Sequence, residues 1–337
     1  MRNLPLKEFC VKIGSLYKIK TEWNIRFRLL YRFIKLKSSL RDVEYIFVDD
    51  ASPDGSIAVL RNVLADYQER SNHVKILTHT ENKGLPAARN TGLSVAQGEY
   101  IFHCDSDDFV ESEMLEKLYG HAVKENADIV WCDWYLSFEN SERYMKQPAY
   151  DTPLEALKAM LGGAMKYNVW NKLIRKLLYV ENKIEFPAGY GMGEDMTIML
   201  LFAHAKKTIY FPRAFYHYVK LNTNAFSQTY SERHLQELQH NVTTITNKLE
   251  TLFGNTLEQE IAFLKLEAKF PFLLSDDRKK QKLWDEWYPE ANSYILKNRN
   301  ISVRSRFIQW CAWKHLGVIV SMYRWLLNKI VYGIIYK

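Results

Sequence analysis

The feature that most constrains this chain is the alternation of short apolar runs with helical periodicities between residues 44 and 134. Residues 44–48, 73–77, 99–103 and 128–132 are β-prone runs of strand length. Between them, 56–70, 85–96 and 112–125 read as helices, the first repeating Ile57, Leu60, Val63, Leu64 and Tyr67 and the second stopping at Gly98. Strands separated by helices of this length predict right-handed βαβ units on a mostly parallel sheet flanked by helices, an α/β arrangement. Such sheets bind ligands at the carboxyl ends of their strands, so the residues just after each strand matter most.

Those residues are acidic. The first strand runs into Asp49-Asp50-Ala-Ser-Pro-Asp54, and the third into Asp105-Ser106-Asp107-Asp108. Crowded carboxylates are costly unless a cation or hydrogen-bond donors meet them, and a divalent metal is the simplest partner. On an extended segment Asp105 and Asp107 point the same way, so they predict a Mg²⁺ or Mn²⁺ site completed by substrate phosphates. An acidic turn capping the next helix is the other reading of an isolated DxD. An EF-hand is excluded, because Val110 stands where its sixth position needs glycine.

Two further segments bear on chemistry. NKGLPAARNTG (82–92) opens a helix whose N-terminus, with Lys83 and Arg89, suits a diphosphate; a helix start with Arg89 on a solvated face is the alternative. The glycine-rich stretch 189–193 leads through Glu194 and Asp195 into the helical run 196–205. A carboxylate there is stabilised as the anion and serves either as a proton acceptor or as a helix cap.

Composition separates the regions. Residues 1–41 hold 11 Lys/Arg against two Asp/Glu, 291–337 hold eight against none, and the overall charge is +7, which leaves −10 for 42–290. An acidic middle argues against a nucleic-acid-binding core, while the basic ends suit an anionic surface. A chain that is 47% hydrophobic and 14% aromatic is not a disordered one. Four scattered cysteines give no zinc or disulfide pattern. The first residues show no apolar run of signal-peptide length, and the apolar stretch 316–323 is cut by Arg324, so neither secretion nor a spanning helix is expected.

The order VDDASPDGS (48–56), NKGLPAARNTG (82–92), GEYIFHCDSDD (98–108) and GEDMTIML (193–200) resembles the inverting family-2 glycosyltransferases with the GT-A fold, over about 43–227. The resemblance implies a GT-A α/β domain over 1–230, atypical in 1–42, and a helical C-terminal region over 231–337. It implies a metal-dependent, hexosyltransferase-type enzyme that uses Mn²⁺ or Mg²⁺. The sugar passes from a nucleotide-sugar, a UDP-sugar, to a hydroxyl of a glycan or lipid-linked acceptor in polysaccharide biosynthesis. Its residues carry over as follows: Asp49 and Asp50 as the nucleoside-contacting pair, with the choice between them open; Arg89 near the nucleotide and Lys83 at the phosphates; Asp105 and Asp107 at the metal; Asp108 facing the donor sugar; Asp195 as catalytic base with Glu194 beside it. Val169-Trp170-Asn171-Lys172 resembles the acceptor-side strand. Tyr216-His217-Tyr218 with Ser227 resembles the loop after the last core strand. There His217 is a candidate metal ligand near the leaving diphosphate, and a surface-strand histidine is the competing reading.

The family's first strand ends in a Pro-x-Tyr-Asn-like turn that residues 6–17 lack; 9–16 reads as a degenerate strand and 23–36 as an amphipathic helix, unless the strand is lost altogether. With a lost strand, the alternative function is a catalytically impaired, membrane-associated scaffold. A nucleotidyltransferase would need a glycine-rich basic loop after its first strand, which is absent. Beyond 227, residues 234–253, 257–274 and 282–296 read as helices. Residues 302–337 interleave six Arg/Lys, among them Arg304 and Arg324, with Trp310, Trp313 and Trp325. This suits either an interfacial helix pair on an anionic membrane or a pair packed on protein. The expected location is cytoplasmic, peripheral on the inner face of the cytoplasmic membrane.

Overall fold

The computed structural model describes residues 9–13, 43–66, 72–220 and 231–327. The helix expected over 23–36, the end of the one expected over 56–70, Ser227 and the tail beyond 327 lie outside the described residues. The chain divides into two compact units, 1–154 with 167–241, and 155–166 with 242–337.

The first unit is built on one sheet of β1 (Phe9–Ile13), β2 (Val43–Asp49), β3 (Val74–Thr78), β4 (Tyr100–Cys104), β5 (Phe109–Val110), β6 (Ile129–Ser137), β7 (Glu142–Met145), β8 (Lys172–Arg175) and β9 (Thr208–Val219). The spatial order is β3-β2-β1-β4-β8-β6-β9-β5, with β7 added on β6. The β3-β2-β1-β4 half is parallel. The other half is mixed, because β8 runs antiparallel to both β4 and β6 while β6 and β9 are parallel. Strands β2 and β4 are buried almost throughout, which is why their sequences are continuous apolar runs rather than alternating ones. The intervening helices are α1 (Ser56–Ala65), α2 (Leu85–Val95) and α3 (Met114–Glu125). Later come α4 (Pro153–Leu161), α5 (Lys176–Glu181) and α6 (Thr197–His204).

The doubtful first strand is in place. β1 pairs in parallel with β2 from Phe9↔Val43 to Ile13↔Phe47 and with β4 from Phe9↔Tyr100 to Ile13↔Cys104. Backbone pairing needs a β-compatible stretch, not the Pro-x-Tyr-Asn turn, so the missing motif did not forecast a missing strand. The register brings the ends of β1, β2 and β4 level. Asp49-Asp50 and Asp105 therefore leave the sheet along one edge.

The second unit is helical. It holds most of α4 and of α7 (Glu232–Phe253), then α8 (Glu258–Leu274), α9 (Arg278–Glu286), a 3₁₀ stretch Pro289–Lys297, α10 (Val303–Trp313) and α11 (Gly317–Leu326). Its core includes Leu249, Leu257, Ile261, Phe263, Leu264 and Phe272. Buried Lys269 donates to the carbonyls of Trp284 (3.1 Å), Trp287 (2.8 Å) and Tyr288 (3.3 Å), a cation closing the C-terminal end of α9. Among the described residues no helix is long and apolar enough to cross a membrane.

Candidate active site

The turn after β2 gives Asp49 and Asp50 different partners. Asp50 is 2% exposed and accepts from the backbone N–H groups of Lys83 and Gly84, both at 2.8 Å, and meets His79 Nδ1 at 2.6 Å. His79 Nε2 in turn meets Thr91 Oγ1 at 2.9 Å. Asp50 is thus committed to fixing the 79–84 turn against α2. Asp49 uses Oδ1 to accept from Ser52 N at 2.9 Å, around Ala51 at φ 55°. An alanine in the left-handed region costs about 1 kcal/mol or more, and strain of this kind gathers at functional turns. The Lys83 side chain is exposed, with its backbone anchored by Asp50.

Arg89 does not face solvent. It lies on the buried face of α2 with Pro86, Ala88 and Gly92, and is itself 2% exposed. One guanidinium nitrogen donates to Asp195 Oδ1 at 2.6 Å and to Glu194 Oε1 at 3.4 Å, and the other to Asp105 Oδ1 at 3.3 Å. Neighbouring Asn90 exchanges hydrogen bonds with the main chain of Phe186 (2.8 and 2.9 Å), and the Phe186 ring lies 5.2 Å from the Arg89 guanidinium. The segment expected to receive a diphosphate therefore ties the 186–195 stretch to the end of β4. Charges here are strongly coupled. Burial works against the Arg89 cation, but Asp195, Asp105 and Glu194 outweigh it and raise its proton affinity. Burial pushes Asp105 up to about 6, with Arg89 opposing and Asp107 and Asp195 adding. Burial and Asp195 push Glu194 up to about 8 against the pull of Arg89.

Residues 105–108 form a turn, closed by Asp108 N donating to Asp105 O at 3.2 Å. This corrects the extended geometry expected for Asp105 and Asp107: the chain must reverse to start β5, so the carboxylates are gathered by a turn instead of by strand alternation. Asp107 is exposed and Asp105 half-buried. Asp108 is buried, taking the Tyr216 hydroxyl at 2.6 Å and Val219 N at 2.8 Å, while Asp105 N donates to Tyr216 Oη at 3.2 Å. Burial, then Asp107 and Asp105, raise the Asp108 pKa well above the usual carboxylate range. Asp108 thus fastens this turn to β9.

His217 is a correction too. Strand neighbours point to opposite faces, and Tyr216 faces Asp105 and Asp108, so His217 faces away. Its ring nitrogens meet Glu142 (2.8 Å) and Glu111 (2.9 Å), and its ring stacks on Phe109 at 4.1 Å and on Tyr135 at 4.8 Å. The ring is buried and turned from the carboxylate turn, so neither the metal-ligand reading nor that of a surface histidine describes it. Among the described residues no three His, Cys, Asp or Glu side chains are grouped to hold a metal. What the turn offers is two carboxylates, Asp105 and Asp107, whose hard oxygens and surplus negative charge suit Mg²⁺ or Mn²⁺ with most positions left to substrate and water.

The loop bearing Glu194 and Asp195 turns at Gly189 (φ 85°) and Gly193 (φ 83°) into a 3₁₀ turn Glu194–Met196 and then α6. Glu237 Oε2 accepts from Met192 N at 3.1 Å, and Asn241 Nδ2 donates to the carbonyls of Tyr190 (3.1 Å) and Met192 (2.7 Å). On β8, Lys172 is fully buried and donates to Asn168 O (2.6 Å) and Asn171 Oδ1 (2.8 Å). Burial lowers its pKa to about 7, with Asp195 opposing. Sequence reasoning missed His79, Tyr216, Glu237 and Asn241 as supports of the site. Only Tyr216 had a signal, the alternation Tyr216-His217-Tyr218.

Comparison with known proteins accords with this arrangement. The glycosyl transferase family 2 profile matches residues 26–192. The chain is 32% identical over 254 residues to a cholesterol galactosyltransferase of Borreliella burgdorferi, covering 71% of this chain and 68% of that one. It is 31% identical over 169 residues to the poly(ribitol-phosphate) beta-glucosyltransferase of Bacillus spizizenii, covering 49% of this chain and 25% of that protein. S. aureus TarS 1-349, crystallised with UDP-GlcNAc, superposes with a TM-score of 0.65 at 18% identity, covering 97% of this chain and 92% of that one. The shared architecture is the GT-A α/β fold followed by a helical C-terminal region. With acidic turns after β2 and β4 and a glycine-rich loop returning to them, this chain belongs to glycosyltransferase family 2.

Proposed function

We propose that this protein transfers a hexosyl group from a UDP-sugar to a hydroxyl of a glycan or lipid-linked acceptor, with inversion at the anomeric carbon. One observation carries the reading: Arg89 joins Asp195 to Asp105, so the candidate base and the candidate metal turn meet within one guanidinium's span. The relatives named for galactosyl and glucosyl transfer support a hexosyl donor, and the TarS complex supports a uridine nucleotide. Asp49 is the better nucleoside contact of its pair, because Asp50 is spent on the 79–84 turn. The exposure of Lys83 supports its role at the phosphate oxygens. Asp105 and Asp107 would hold Mn²⁺ or Mg²⁺, which when bound supplies charge neutralisation for the departing diphosphate.

In a single displacement the acceptor oxygen forms its bond to the anomeric carbon on the face opposite the nucleoside diphosphate. The bond from that carbon to the diphosphate breaks, and the hydroxyl proton passes to Asp195. Asp195 must exchange its contact with Arg89 for the acceptor hydroxyl, and Glu194 remains on the guanidinium to hold it in place. The scaffold alternative loses its premise, because β1 occupies its position in the sheet. The test is UDP release from UDP-sugars with and without Mn²⁺. Asp195→Asn is expected to keep UDP-sugar binding by calorimetry and to lose turnover by about 10²–10⁴-fold; undiminished turnover refutes the role.

The C-terminal helices support work at an inner-membrane surface. Val318 (84% exposed), Met322 (58%) and Trp325 (57%) share one face of α11 at helical spacing. Residues 291–337 carry eight Lys/Arg and no carboxylate, a charge that suits anionic lipid.

A further inference from the structure

A stack of aromatic rings runs outward from the carboxylate turn and ends on an exposed tyrosine. Along β9, Tyr216 and Tyr218 share a face. The Trp170 ring lies nearly parallel to both, 4.4 Å from Tyr216 and 5.5 Å from Tyr218. Trp134 meets Trp170 and Tyr218 edge-on at 5.0 and 6.1 Å. Tyr216, Trp170 and Trp134 are buried, whereas Tyr218 is 39% exposed. The inner end is chemically tied to the site, since Tyr216 takes the Asp105 N–H and donates to Asp108. Burial, and then the negative charges of Asp108, Asp107, Asp105 and Asp195, raise the pKa of the Tyr218 hydroxyl at the outer end to about 12.

Position in the sheet says what this wall can hold. The nucleoside and phosphate candidates Asp49 and Lys83 belong to the β2–β3 half. The aromatic wall belongs to β6, β9 and the segment before β8, on the other half. Asp105 follows β4, the strand at which the two halves meet, and Arg89 joins it to Asp195. A ligand on the aromatic side is therefore not the nucleotide. Flat aromatic rings beside carboxylates are the combination that suits a pyranose, which offers a C–H face to stack and hydroxyls to donate.

We infer that Tyr218, held rigid by Trp170 and Trp134, is the stacking face of an acceptor subsite that takes a pyranose ring and turns its hydroxyl toward Asp195. The inference deepens the transfer reading and rests on it for the word acceptor, but the subsite can be probed without donor. Saturation-transfer NMR on the full chain, with methyl β-D-galactopyranoside and methyl β-D-glucopyranoside and no nucleotide, tests it directly. The wild type is expected to bind at least one of them, Tyr218→Ala to weaken that binding about three- to tenfold, and Tyr218→Phe to keep it. UDP affinity, measured separately by calorimetry with Mn²⁺, is expected to be equal in all three. Binding of neither glycoside to the wild type, or equal binding to Tyr218→Ala, overturns the subsite. Loss of UDP affinity in Tyr218→Ala also overturns it, because the tyrosine would then serve the donor side. Absence of UDP binding in the wild type sinks the transfer reading alone, leaving a sugar-binding site to be read from the glycosides.

Discussion

Replacing Arg89 by methionine keeps the bulk of the side chain and removes the cation that touches Asp105, Glu194 and Asp195 together. The guanidinium is 2% exposed and sits 2.6–3.4 Å from three carboxylates, so water cannot take its place. Stripping one partner from a buried charge cluster costs about 3–5 kcal/mol. The cost depends on pH. Glu194 and Asp105 have folded pKa values raised to about 8 and about 6, above their ordinary 4.5 and 3.8. Between those limits the folded protein binds protons that the unfolded chain does not, so their contribution to stability falls as pH rises. Without Arg89 the opposing pull is gone, both values climb further, and that downward slope steepens. Urea unfolding of Arg89→Met is therefore expected to show a loss of about 3–5 kcal/mol at pH 8.5, shrinking to less than about half of that at pH 5.5. A loss below about 1 kcal/mol at pH 8.5, or the same loss at both pH values, refutes the view that Arg89 is a charge clasp.

Asp107→Asn is expected to weaken Mn²⁺-dependent UDP-sugar binding while leaving the fold intact, because Asp107 is exposed; calorimetry with and without Mn²⁺ reads this. His217→Phe is expected to leave that metal dependence unchanged and to cost about 1–2 kcal/mol in urea unfolding, through loss of the bonds to Glu111 and Glu142. Val318→Glu with Met322→Glu is expected to abolish co-sedimentation with phosphatidylglycerol vesicles, leaving UDP release in solution unchanged.

The parts of this molecule legible in its sequence are those that short-range physics decides. Strands such as β2 and β4 announce themselves because a doubly covered strand must be apolar at every position. The carboxylates after them are legible because so many together need hydrogen-bond donors or a cation, although which of these each one meets, as Asp50 and Asp108 meet backbone N–H groups, is not. What stays hidden depends on rotation and register. Whether Arg89 faces a diphosphate or the interior is set by the turn of α2 about its axis, with Pro86, Ala88 and Gly92 marking the buried face. Asp49 and Asp50 look alike until the 79–84 turn takes one of them. His217 looks like a ligand until the alternation of β9 turns it away from Tyr216. Strand β1 carries too weak a local signal, and its place is set by two partner strands waiting on either side of it.

That placement shapes how the sheet must assemble. The strand nearest the start of the chain fills a central slot, and one of its two partners, β4, begins at Tyr100. β1 lies about as near to β2 in sequence as β2 does to β3, so β3-β2-β1 can form early, whereas the pairing of β1 with β4 closes a far longer loop and comes later. Until then the outer edge of β1 stays unpaired where the centre of the sheet will be, a template for pairing with another chain. Deletion of residues 1–13 would leave the facing edges of β2 and β4 both unpaired, and the harm would show first as aggregation rather than as a loss of affinity.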